Sequence, residues 1–176
     1  MKTLPPASER FQEAKNVADL FDQYAGAVYG YLLRLSGDRA LADDLTNETF
    51  YRAMLALEGF RGEASVKTWL LRIARNLYLN RVKREKRLTS LDALEEAGVS
   101  FTAPNPGPET VALHREQNEA LERALLALSE LDRSILLLAS QEKLSYQEIS
   151  QVVGLSVAAI KVRIFRARQR LARMLE

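Results

Sequence analysis

Ser145-Tyr-Gln-Glu148 ahead of an apolar stretch, with Gly154 and Ser156 shortly beyond, leaves little freedom for the C-terminal end of this chain. The first four residues form a capping box. The serine hydroxyl accepts from a free N–H of the first helical turn, and the glutamate reaches back to the serine's own N–H. Gly154 stops the short helix and Ser156 caps the next one. Two helices broken by a short turn with Gly are the helix-turn-helix pattern, which an ordinary helical hairpin shares. At about 100° per residue, Val157, Ile160, Ile164, Ala167 and Leu171 form an inward stripe on the last helix. Ala158, Val162, Phe165, Arg166 and Gln169 then lie opposite, with Lys161 at the edge. Apolar groups among cations suit a major groove, where they meet thymine methyls while Lys and Arg reach guanine edges or phosphates. Arg163, Arg168, Arg170 and Arg173 flank this face and suit phosphate contacts. Packing of Phe165 on a partner protein is the alternative, since exposed apolar patches mark interfaces of any kind.

Upstream, the pattern predicts an all-α chain with no strand. Residues 1–15 read as a loose tail. Asn16 caps a helix to about Ser36, which Gly37 ends. Asp38 caps a second helix to about Leu57, with Leu41, Leu45, Thr49 and Met54 inward. Ser65 caps a third helix to about Leu88. Short connections favour one antiparallel bundle over residues 16–88. Residues 89–112, acidic and carrying the Pro-rich stretch Ala103–Pro108, read as a flexible linker. Helices resume from about Glu109 to Leu128 and from Asp132 to Glu142, so residues 113–176 form a second small helical domain around the helix-turn-helix.

The net charge of +2 conceals an uneven distribution. Lys67, Arg72, Arg75, Arg81, Lys83, Arg84, Lys86 and Arg87 face the single acid Glu85. Lys161, Arg163, Arg166, Arg168, Arg170 and Arg173 face none. The stretch between is acidic: Asp92, Glu95, Glu96, Glu109, Glu116, Glu119 and Glu122. Two basic segments around an acidic one point to two contacts with one polyanion, although one run alone equally suits a solvated helix face. On the third helix Val66, Leu70, Ile73 and Leu77 point inward, while Arg72, Asn76 and Lys83 share another face with Trp69 and Asn80 at its border. Amides and cations beside an aromatic ring can hold a strand and an unpaired base, with the loop Phe60-Arg61-Gly62-Glu63-Ala64 as a pocket wall. Rotation angle alone favours the core for Trp69.

Cysteine is absent and His114 is the lone histidine, which excludes disulfides and thiolate ligands and disfavours His-based chemistry. Ser65, Ser145 and Ser156 fit helix caps better than nucleophiles. No P-loop, metal-ligand spacing or His-centred triad appears. No apolar run approaches the roughly 20 residues that span a bilayer, and no signal core is present. The expectation is a cytoplasmic non-enzyme with no cofactor, metal, small-molecule substrate or membrane insertion.

Asp43-Asp-Leu-Thr-Asn-Glu-Thr-Phe50 resembles the acidic-aromatic signature of sigma region 2.2. Phe60 through Asn76 resembles the promoter-reading segment that follows it, and Leu144 through Leu171 resembles sigma region 4. Their order, and the lack of a domain between them, are similar to the extracytoplasmic-function group of the sigma-70 family. The resemblance covers about residues 16–88 and 113–176.

That resemblance implies a transcription initiation factor whose partners are core RNA polymerase, promoter DNA and an anti-sigma factor. It implies polymerase contacts at Asp43, Asp44, Asn47, Glu48 and Phe50, with the acids alternatively solvated and Phe50 alternatively in the core. It implies minus-10 capture by Phe60, Arg61, Lys67, Arg72, Asn76, Asn80 and Lys83. Minus-35 reading falls to Lys161, Val162, Arg163, Phe165, Arg166 and Arg168. Thr46-Asn47, Ala158-Ala159 and Val162 depart from the usual pattern, and the side chains of Ala159 and Val162 cannot hydrogen-bond a base. The competing reading is a conventional helix-turn-helix regulator that binds an operator by itself, as a dimer on two half-sites.

Overall fold

The structure, a computed structural model, describes residues 17–92 and 112–176, with side chains at 17–89 and 118–176. The expected N-terminal tail, the Asn16 cap, most of the acidic linker and the His114 side chain lie outside the described residues. Among the described residues seven α-helices follow in order: α1 Val17–Ser36, α2 Arg39–Ala56, α3 Val66–Asp92, α4 Ala112–Leu126, α5 Glu130–Ser140, α6 Tyr146–Val153 and α7 Val157–Leu175, with one 3-10 turn at Leu57–Gly59. No strand occurs among the described residues. None of their helices is long and apolar enough to cross a membrane.

The helix starts are local chemistry. Asp38 accepts from the Leu41 N–H at 3.1 Å, and Ser65 accepts from Thr68 N–H at 3.1 Å. Ser129, a cap the sequence reading passed over, accepts from Asp132 N–H at 3.2 Å. That moves the start of α5 to Glu130. The capping box forms in both directions: Glu148 N–H donates to Ser145 Oγ at 3.2 Å and Ser145 N–H donates to Glu148 Oε2 at 2.8 Å. Gly154 closes α6 in the left-handed conformation at φ 75°, where only glycine is unstrained. Gly37 does the same for α1 at φ 72°, and a Cβ there would lie 3.1 Å from Leu126.

Helices α1–α3 pack together, as do α4–α7, and the two groups then pack on each other: α3 lies against α6, and α1 against α4 and α5. One hydrophobic cluster runs through both, from Leu20 and Leu32 through Leu70 and Leu71 to Ile135, Ile149 and Ile160. One inward assignment needs correcting. Met54 is exposed, and α2 buries Ala42, Thr46, Phe50 and Ala53 beside the expected Leu45 and Thr49. Thr46 and Thr49 enter the core by donating to the carbonyls of Ala42 and Leu45 at 2.7 and 2.6 Å, which satisfies their hydroxyls without a distant partner. On α3 the stripe is wider than expected, with Leu71, Ala74 and Tyr78 buried beside Leu70, because this helix is covered from two sides.

Candidate nucleic-acid interface

Helix α7 seats Ile160, Ile164 and Ala167 in the core, which turns the opposite side outward. Phe165 is 63% exposed and Val162 48%. Lys161, Arg166, Arg168 and Gln169 are exposed around them. The edges of this face are held. Lys161 Nζ sits 5.7 Å from the centroid of the Tyr146 ring, on the first residue of α6, within cation–π range. On the other flank Arg163, half-buried, donates to Asp132 at 2.8 Å. Ala158, Ala159, Val162, Arg166 and Arg170 line a shallow groove with that pair.

The second basic face lies on α3. Arg72, Asn76, Asn80 and Lys83 are all exposed, and so is Arg61 in the preceding loop. Phe60 folds back on Trp69, with ring centroids 4.7 Å apart, so both rings are half-buried at the base of that loop. Arg75 does not belong to the open set. It is buried, and its Nε donates to Ser134 Oγ at 3.1 Å, beside the Tyr31 hydroxyl 2.7 Å from the same oxygen. Burial pushes the phenol of Tyr31 well above the ordinary tyrosine value and raises that of Tyr78.

Lys67 is engaged too. Its ammonium pairs with Glu142 at 2.8 Å, where the carboxylate side chain is 4% exposed, and it also donates to the Glu142 carbonyl at 3.1 Å. Beside it, Thr68 and Ser65 donate to Glu148 Oε1 at 3.2 and 3.4 Å. The start of α3 is thus pinned to the first helix of the helix-turn-helix. Burial opposes ionisation of Glu148. The hydrogen bonds from the Ser145 backbone and side chain, Thr68 and Ser65 outweigh it and hold the carboxyl below its ordinary value.

On α2, Asp43, Asp44 and Asn47 are exposed, and Glu48 pairs with Arg52 at 2.7 Å. Phe50 is buried, edge-on to Phe21 with centroids 4.9 Å apart. Its neighbours Tyr51, Met54 and Leu55 are the apolar groups that face outward beside the acids, Leu55 at 64% exposure. The sequence reading missed them: α2 has a weak apolar period, so its outer apolar residues do not stand out. It also missed Tyr146, Asp132 and Glu142, whose roles depend on contacts distant in sequence. No group of three or more potential metal-ligating side chains occurs among the described residues.

Residues 20–88 match the family model of sigma-70 region 2, and residues 118–171 match that of sigma-70 region 4. The chain is 31% identical over 153 residues to the RNA polymerase sigma factor YlaC of Bacillus subtilis, covering 87% of this chain and 88% of that protein. It is 30% identical over 165 residues to the ECF RNA polymerase sigma factor SigW of the same organism, covering 90% and 88%. Among solved structures, the sigma factor RpoE of Bartonella quintana, crystallised with the anti-sigma factor NepR, superposes with a TM-score of 0.70 at 24% identity, over 90% of this chain and 95% of that one.

Proposed function

The chain belongs to the extracytoplasmic-function group of the sigma-70 family of RNA polymerase sigma factors, and on that premise we propose which of its surfaces meet promoter and polymerase. The face of α7 reads the upstream, minus-35 element as duplex. The observation that carries this is the open exposure of Phe165 and Val162 among Lys161, Arg166 and Arg168, an arrangement costly in solvent and useful in a groove. Lys161 and Arg168 take one phosphate strand, and Tyr146 orients Lys161.

The outer face of α3, with Arg72, Asn76, Asn80 and Lys83, tracks the downstream, minus-10 element. Phe60, Arg61 and Lys67 stand at the mouth where an unpaired base enters. Capturing unstacked bases biases the duplex toward opening without ATP, since each costs a few kcal/mol to expose. Asp43, Asp44, Asn47 and Glu48 meet core polymerase, and Tyr51, Met54 and Leu55 supply the apolar part of that contact. Phe50 supports the helix from inside. The functional units are residues 16–88 and 113–176, joined by 89–112. The protein works in the cytoplasm as a non-catalytic subunit, and an anti-sigma partner holds it in reserve.

Elements about 25 base pairs apart lie roughly 85 Å apart along B-form DNA, at about 3.4 Å per pair. Thr68 and Glu148 are 3.2 Å apart. A chain held in this arrangement cannot span both elements, so the α3–α6 contact opens when polymerase takes hold.

Run-off transcription with purified core enzyme tests the reading. The expected result is promoter-specific transcript that needs both proteins, with weak DNA protection by the chain alone. Operator protection by the lone chain, with no transcript on adding core, would favour a conventional helix-turn-helix regulator.

A further inference from the structure

We propose that Asp132 is a positioning residue for the recognition helix: it ties Arg163 to α5 and withdraws one cation from those α7 offers to phosphate. The inference deepens the assignment of α7 as the duplex-reading helix and rests on it.

Arg163 Nη1 donates to Asp132 Oδ1 at 2.8 Å; the acid's side chain is 14% exposed and the guanidinium's 41%. The acid is the fixed partner. It stands in the first turn of α5, and its own N–H donates to Ser129 Oγ. Arg163 comes to it from the neighbouring helix.

The pair's position matters more than its strength. At 100° per residue, Ala159, Arg163, Arg166 and Arg170 share one flank of α7, and all four line the groove that also contains Asp132. A phosphate drawn to Arg166 or Arg170 therefore approaches a carboxylate. An acid in that place makes no sense for maximal DNA affinity. It makes sense for holding down sequence-independent affinity, because phosphate contacts strengthen binding to every sequence alike. Withholding Arg163 lowers that common affinity and leaves the exposed base-facing residues untouched, so the difference between two sequences is unchanged while the chain rests less firmly on DNA of any sequence. The opposite edge is built differently. Lys161 rests on the Tyr146 ring, which carries no charge, so its full charge still reaches phosphate.

The test is the salt dependence of binding to a labelled random-sequence duplex, followed by fluorescence anisotropy with the full chain between 50 and 200 mM salt. Asp132→Asn keeps the side chain's shape and removes its charge. It is expected to steepen the log–log slope by about 0.9, so that affinity falls about 3.5-fold further than wild type over that fourfold range. Adding Arg163→Gln to Asp132→Asn should return the slope to the wild-type value. Arg166→Gln in the wild-type chain should flatten it by about 0.9. An unchanged or shallower slope in Asp132→Asn overturns the proposal. So does steepening that persists in the double variant, because the acid would then act by repulsion alone. If wild type shows no salt-dependent binding and Arg166→Gln changes nothing, the assignment of α7 to DNA falls and this inference falls with it. A normal wild-type slope with an inert Asp132→Asn sinks only the inference.

Discussion

The guanidinium of Arg133, carried by α5, donates to the backbone carbonyl of Leu35 at the end of α1. The same group reaches the carbonyls of Leu126 and Leu128 at 3.1 Å each, and the Tyr78 hydroxyl reaches Leu35 from α3 at 3.4 Å. One buried cation thus satisfies carbonyls at the ends of two helices, α1 and α4, which have no helical donors left for them. It also joins the two helical groups through polar contacts, the kind of contact that can be exchanged when another partner arrives.

Removing that group is expected to be costly. Arg133→Ala leaves three carbonyls without their charged donor in a buried site, so unfolding free energy should drop by about 3 kcal/mol. Arg133→Lys should recover only part of it, because an ammonium cannot fan out to three acceptors as a planar fork does. Urea titration followed by far-UV circular dichroism measures both. A loss within about 0.5 kcal/mol for Arg133→Ala would show that the clasp is incidental.

Acid should loosen the α3–α6 contact through Glu148. Its carboxyl titrates below the ordinary value of 4.5 in the folded chain. A group with a depressed folded value adds stability that is fully present above the unfolded value and is lost as pH falls through the folded one. Between about pH 5 and pH 3 the wild type should therefore lose more stability than Glu148→Gln, which lacks the ionisation. Thermal melts across that range check it. Parallel curves for the two proteins would remove Glu148 from the account of acid sensitivity.

Much of the fold was legible because its signals are short-range. Asp38, Ser65, Ser145, Ser156, Gly37 and Gly154 each start or stop a helix by bonds or backbone angles within four residues, and all six act as the sequence implies. The outward face of α7 was legible for the same reason, since rotation angle follows from position alone. What stayed hidden depends on where two distant segments meet. Arg75 reads as one more base in a basic run, yet it is buried against Ser134, 59 residues on. Lys67 reads as a free cation and is bound to Glu142, 75 residues away. Met54 reads as inward on α2 and is exposed, while Thr46, which the weak apolar period passes over, is buried beside the expected Thr49.

Promoter recognition should separate from polymerase binding at the level of single residues. Phe165→Ala and Arg166→Ala remove exposed groups, so stability should stay within about 0.5 kcal/mol of wild type. Each should weaken promoter use by about 1–3 kcal/mol, roughly fivefold to 150-fold in transcript yield at limiting holoenzyme. Pull-down on core polymerase should be unaffected. Equal loss in both assays would contradict the assignment of α7.

The outer side of α2 should behave in the opposite way. Asp44→Arg reverses a charge and Leu55→Asp places one in the exposed apolar patch formed with Tyr51 and Met54. Both should reduce capture by core polymerase about tenfold or more, as expected when a contact worth 1.4 kcal/mol or above is lost. The melting temperature should stay unchanged. If Leu55→Asp assembles normally, the apolar patch serves something other than polymerase.

Glu142 is the place to test whether the two helical groups part. Its carboxylate is almost wholly buried and Lys67 is its charged partner. Breaking such a pair from one side typically costs about 3–5 kcal/mol, because the remaining charge is stranded. Here the group left behind is Lys67, about a third exposed and still bonded to the Glu142 carbonyl, so the loss is smaller, and its full hydration needs α3 and α6 to separate. Glu142→Gln should therefore act less on the folding of either group than on their contact. Small-angle scattering should show a larger radius of gyration, and binding to a minus-10 single strand should strengthen without polymerase as Lys67 and the Phe60–Ala64 loop come free. Thr68→Val with Ser65→Ala, which removes the neighbouring bonds to Glu148, should push in the same direction. A variant that stays as compact as wild type would mean that the apolar contacts between the groups, and not this ion pair, decide whether the chain can stretch along a promoter.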